Sequence, residues 1–85
     1  DKPLLQLYAG ICFLNTDRIV DARNNFEAVS SGDLLFKNEG LWYLALTYLK
    51  ENKPKNARDI LSKIISYSGD SSYKRKAEKL INEIE

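Results

Sequence analysis

Apolar and polar residues recur along this chain with the three- and four-residue spacing of helices. Ile19, Ala22, Phe26 and Val29 lie 3, 4 and 3 positions apart, and Arg18, Asp21, Arg23, Asn24, Asn25 and Glu27 fill the intervening places. Ala57, Ile60, Leu61, Ile64 and Ile65 form a second stripe, and Tyr73, Ala77, Leu80, Ile81 and Ile84 a third. The remaining side of that last segment carries Lys74, Arg75, Lys76, Glu78, Lys79, Asn82 and Glu83. No stretch alternates with period two over a strand length.

Five helices are predicted, over about 4–14, 18–30, 37–50, 54–67 and 72–84. Pro3 and Pro54 suit a first helical turn, where the missing N–H costs nothing. Asp17 is expected to cap the second helix. Ser31-Gly32-Asp33 and Ser68-Gly69-Asp70 are expected turns, and Asn52-Lys53-Pro54 a break. Connections this short imply antiparallel neighbours.

Two segments depart from the amphipathic pattern. Between Leu4 and Leu14 the one strongly polar side chain is Gln6, and between Leu41 and Leu49 the polar groups are Tyr43, Thr47 and Tyr48. A surface helix shows a polar stripe, so these two helices expect contact on every side.

The two hairpins match at an offset of 35 residues. Tyr8 pairs with Tyr43, Gly10 with Ala45, Phe13 with Tyr48, Leu14 with Leu49, Ala22-Arg23 with Ala57-Arg58, and Phe26 with Leu61. Small residues recur where helices must approach closely, and an aromatic follows three positions after the first of them. A period in the mid-thirties of this kind signals an α-solenoid.

In these residues the chain resembles the tetratricopeptide repeat family, whose motif has small residues at two fixed places. An aromatic follows the first by three positions and a large apolar residue follows the second by four. Gly10, Phe13, Ala22 and Phe26 match in one hairpin, and Ala45, Tyr48, Ala57 and Leu61 in the other, with Leu44 at a further apolar place. The resemblance covers about residues 3–70, and the stretch from Leu41 to Leu49 is similar to bacterial members. Gln6 and Leu41 stand where the family prefers tryptophan, Ala9 where it prefers a large apolar residue, and Leu34 and Gly69 where it has proline. The longer period suggests an extended turn near Ser31 to Phe36.

The resemblance implies an all-α, right-handed α-α superhelix, with repeat one at about 3–37, repeat two at about 38–71 and a capping helix at about 72–85. It implies a non-enzymatic protein-interaction scaffold with a concave groove. That groove would be lined by Leu4, Leu7, Ile11, Leu14 and Asn15 from repeat one, and by Glu39, Trp42, Leu46, Leu49 and Lys50 from repeat two. Helical spacing independently puts Leu7, Ile11 and Leu14 on one face, and Trp42, Leu46 and Leu49 on another. Some members clamp a terminal carboxylate with basic and amide side chains there. Leucine and tryptophan occupy most of those places here, which argues for an apolar segment centred on Trp42 instead. The alternative is burial of the same surface by upstream repeats or a second copy, making the chain a structural or self-associating end of a longer scaffold. RNA-reading pentatricopeptide repeats share the 35-residue length. They need polar side chains on the first helix, where this chain has Leu7, Ile11, Trp42 and Leu46.

Composition narrows the chemistry. The 85 residues hold 13 basic and 12 acidic side chains, a net charge of +1, so no global attraction to nucleic acid or anionic membrane is expected. Histidine is absent and Cys12 is the sole cysteine, so a thiol catalyst has no imidazole base and no metal site or other cofactor is expected. Cys12 is expected to be a small buried apolar group, and Lys74-Arg75-Lys76 a solvated helix face. The apolar run Leu7 to Leu14 is far short of the about 20 residues a membrane helix needs. With no methionine present, the chain is expected to be a processed or excised part of something longer, and the pattern leaves a cytoplasmic or extracytoplasmic location equally open.

Overall fold

The computed structural model describes residues 2–32, 36–67 and 72–84. Among them the protein is all-α: α1 Lys2–Asn15, α2 Ile19–Gly32, α3 Lys37–Lys50, α4 Pro54–Tyr67 and α5 Ser72–Ile84. Each helix packs on the next in the chain. The odd-numbered helices also touch one another, α1 against α3 and α3 against α5. The Cα envelope is 29 × 27 × 16 Å. Its short dimension suits two layers of helices at the usual 8–10 Å spacing.

The core includes several of the places at which the two hairpins match. Ala22, Phe26, Ala45, Ala57 and Leu61 are fully buried, as is Ile64, with Val29, Leu41 and Leu44 close to it. Phe26 is the pivot. A Cβ added to Gly10 of α1 would stand 2.6 Å from its Cε1, and the Tyr43 ring of α3 stacks on it at 5.5 Å. A second close approach joins the hairpins, where a Cβ on Gly40 would lie 2.9 Å from the Ser30 backbone nitrogen. Glycine in a helix interior costs about 1 kcal/mol relative to alanine. At these two places the cost is offset by packing that a larger residue would obstruct.

The hairpin turns repeat as faithfully as the core. Asp17 and Asn52 both take a left-handed backbone, φ 62° and 63°. The next amide reaches back five residues in each turn, Arg18 N to Phe13 O at 2.8 Å and Lys53 N to Tyr48 O at 2.9 Å. The amides of Asp17 and Asn52 bond Leu14 O and Leu49 O. This paired pattern is the Schellman closure of a helix end. Aspartate and asparagine serve at the left-handed position usually given to glycine, which they tolerate better than most residues.

Several expectations need correction. Asp17 closes α1 and does not cap α2, since its backbone is left-handed and its carboxylate pairs with Lys50 at 3.0 Å. Ser31 and Gly32 continue α2 and do not turn. The hydroxyls of Ser30 and Ser31 both donate to Glu27 O, 3.1 and 2.7 Å away, within the helix. Cys12 is exposed and not buried. The rest of the expected extended turn, Asp33 and Leu34 included, lies outside the described residues, as does Ser68-Gly69-Asp70. The bounds of α3, α4 and α5 agree with the sequence pattern.

Polar contacts tie the hairpins together at one end. Arg23 of α2 donates from Nη1 to both carboxylate oxygens of Glu51, each at 3.0 Å, across a mostly buried site. Thr47 is fully buried and donates to Tyr43 O at 2.7 Å, which satisfies its hydroxyl inside the helix.

Candidate functional site: the α3–α5 seam around Trp42

Trp42 projects from α3 because it shares a stripe with Glu39 and Leu46, one helical turn to either side. In the structure Trp42 meets α5. The Tyr73 ring lies 6.2 Å from the Trp42 ring at an interplanar angle of 53°, within the tilted geometry that aromatic pairs favour. The Lys76 ammonium sits 5.1 Å from the Tyr73 ring centroid and 6.0 Å from that of Trp42, in range of both π faces. An open cavity of about 240 Å³ lies alongside, lined by Trp42, Lys76, Lys79, Leu80 and Glu83.

The electrostatics are mixed. Burial, with the nearby Glu39 carboxylate and Tyr43, raises the Tyr73 phenol above its ordinary value of 10.0, so it remains a neutral hydroxyl. Lys76 and Lys79 bring positive charge to the rim, and Glu39 and Glu83 negative charge. An apolar floor with charges of both signs around it can hold a segment that buries one large side chain and pairs its flanks.

The ten residues predicted for a groove divide into groups. Leu7 is buried at 6% exposure and belongs to the core. Ile11, Leu14 and Trp42 are half-buried and pack on that core. Leu4, Glu39, Leu46 and Leu49 are half-buried, and Asn15 and Lys50 are exposed. Lys50 is already engaged: its ammonium donates to Leu14 O at 3.2 Å and pairs with Asp17. It therefore ties the end of α3 to the end of α1.

The sequence reading missed the contribution of α5 to the site. Lys76 and Glu83 were placed on its outer side, yet both line the cavity beside Trp42. The signal was present, because Tyr73, Lys76, Leu80 and Glu83 are spaced 3, 4 and 3 apart and share one edge of the helix. That edge borders the apolar stripe of Ala77, Ile81 and Ile84.

Among the described residues no helix is long and apolar enough to cross a membrane. No group of three or more His, Cys, Asp or Glu side chains there is placed to hold a metal ion. Comparison with protein-family models, with curated proteins and with solved structures finds no match for this chain.

Proposed function

We propose that this chain is a tetratricopeptide-like helical-hairpin scaffold that binds a protein or peptide segment, without catalysis, through the apolar surface around Trp42. One observation carries the reading: a half-buried tryptophan, paired with a tyrosine and approached by a lysine, lines an open cavity at the seam of α3 and α5. The 35-residue recurrence of the buried small residues and of the left-handed turns supports the scaffold part of the proposal. So does the contact of α1 with α3 and of α3 with α5. Tryptophan is enriched where binding energy concentrates. Fully burying one large side chain is worth on the order of 1.5–3 kcal/mol before association costs.

The protein contains a single tryptophan, which makes it its own reporter. Peptides selected from a displayed library against the whole chain should shift and sharpen Trp42 emission on binding. Trp42→Ala, with binding read by the anisotropy of a dye-labelled peptide, should weaken those peptides by at least about tenfold, with far-ultraviolet circular dichroism unchanged. Undiminished affinity in that variant refutes the proposal.

A further inference from the structure

The cavity beside Trp42 is limited in volume and uneven in charge. At about 240 Å³ it falls below the roughly 300–1,000 Å³ of sites that enclose a small molecule. It is also open, so it suits one side chain of a longer segment. Its charged lining is two lysines, Lys76 and Lys79, and one carboxylate, Glu83. The lysines are three positions apart and so are neighbours on the helix surface, where like charges repel. Among the described residues neither forms an ion pair with a carboxylate.

Lys76 is held over the Trp42 and Tyr73 rings, an attraction that steadies the ammonium but supplies no anion. Lys79 is exposed one turn further on. Glu83 follows Lys79 by four positions, the less favourable order for a helical pair. Glu39 of α3 lies on the Tyr73 side and does not line the cavity. The positive surplus continues along the helix: α5 carries four basic and two acidic side chains, whereas the whole chain has a net charge of only +1.

Resting on the reading of this surface as a peptide site, we propose that its occupant is an acidic segment of a partner protein. One large apolar or aromatic side chain enters beside Trp42 and Leu80, and aspartate or glutamate on one flank of that anchor pairs with Lys76 and Lys79. The faces of aromatic rings are negative, so a carboxylate is repelled from Trp42 itself and drawn to the lysines at its edge. Glu83 sets the other flank, where acid is repelled and a neutral or basic residue is accepted. Seven helical positions separate Lys76 from Glu83, about 10 Å, so the charge preference reverses within about three residues of an extended peptide.

The test selects random dodecamer peptides, displayed on phage, against the whole chain and in parallel against Lys76→Glu/Lys79→Glu. Wild-type pools should carry Asp or Glu on one flank of an apolar anchor, and pools from the reversed variant Lys or Arg in its place. Dye-labelled wild-type peptides, read by anisotropy, should bind the reversed variant at least about tenfold more weakly and should weaken on wild type as salt rises. Lys76→Gln/Lys79→Gln, a milder change, should lose the acidic preference without acquiring a basic one. Lys55→Glu/Lys63→Glu, at exposed positions of α4, makes the same change in net charge away from the cavity and should keep the acidic preference. Pools that depend on Trp42 but show no acidic preference overturn the inference and leave the peptide site standing. So does a preference that the Lys55/Lys63 reversal abolishes equally. Pools that bind Trp42→Ala undiminished refute the peptide site and the inference together. A chain that sediments as a dimer, and as a monomer once Trp42 is replaced by alanine, overturns the inference in favour of a second copy.

Discussion

Hairpin one, α1 with α2, is built around Phe26 and Gly10. Hairpin two, α3 with α4, has Leu61 and Ala45 in the equivalent places, all of them buried. One pair combines a large ring with the smallest residue, and the other combines two intermediate sizes. Summed volume is what a close-packed core conserves, so the backbones can superpose in plan while the side chains differ. The hairpins also differ in neighbours. α3 is packed by α1, α2, α4 and α5, whereas among the described residues α1 packs mainly on α2 and α3. Equivalent helices in one small protein therefore live in unequal environments, and that inequality can be tested by substitution.

The largest effect is expected at Phe26. Truncation of a buried phenylalanine costs about 3–5 kcal/mol, and of a buried leucine about 2–5 kcal/mol. Phe26 touches both Gly10 of α1 and Tyr43 of α3, so Phe26→Ala opens space between three helices. It is expected to destabilise more than Leu61→Ala in urea melts followed by circular dichroism. The reverse order would move the centre of the core to hairpin two.

Gly40 gives the next effect and the sharpest contrast with its counterpart Leu5. Gly40→Ala forces a methyl against the Ser30 backbone and Val29 Cγ1. Backbone there cannot yield as a flexible side chain can, and overpacking costs about 1–3 kcal/mol. That exceeds the roughly 0.8–1 kcal/mol that alanine returns in helix propensity. Leu5→Ala, on the open side of α1, should fall within about 0.5 kcal/mol of wild type. Equal effects at the two places would mean that α1 is covered in solution.

A smaller loss is expected for Gly10→Ala, whose new Cβ meets the Phe26 ring. The ring can shift where backbone cannot, so about 1–2 kcal/mol is expected. Combining it with Phe26→Leu recreates the alanine–leucine pair of hairpin two. The double variant should be less unstable than the sum of the singles, with a coupling of about 0.5–3 kcal/mol. Strict additivity would show that the two hairpins reach similar backbones by unrelated packing.

Much of the helical plan was legible from residue spacing, because burial of an amphipathic stripe decides α2, α4 and α5. The bounds of α5 follow from its stripe, and the end of α3 and the start of α4 from the break at Asn52-Lys53-Pro54. Gly40 escaped notice, although glycine inside an apolar helical run usually has a packing reason. What it packs on, the Ser30 backbone, becomes visible in three dimensions alone. Ser31 and Gly32 read as a turn on local preference. Tertiary contact at Ser30 and two serine bonds to Glu27 O hold that last stretch helical instead. The site was half legible. Trp42 stood out as an apolar residue on a face of its own, but spacing cannot say which neighbouring helix that face meets. In the structure it meets α5.

The smallest expected effects lie in the two left-handed turns, where the hairpins are most alike in backbone and differ in one charge. Asn52→Gly relieves the side-chain cost of a positive φ, but glycine also frees the unfolded chain. Even asparagine is less suited than glycine to this helix-ending position, so a net gain of about 0.5 kcal/mol is expected. Asp17→Gly gains the same backbone relief but loses the carboxylate that pairs with Lys50. That pair is exposed, with Asp17 80% and Lys50 43% accessible, and such pairs are worth about 0–1 kcal/mol. The Asp17 variant should therefore come out near neutral at low salt and approach the Asn52 variant in about 1 M salt, where the Debye length falls to about 3 Å. A thermal melt at both salt concentrations separates the two contributions. If Asp17→Gly stays neutral in high salt, the missing stability belongs to the Asp17 backbone environment and not to its charge, and the two turns are less alike than their dihedral angles.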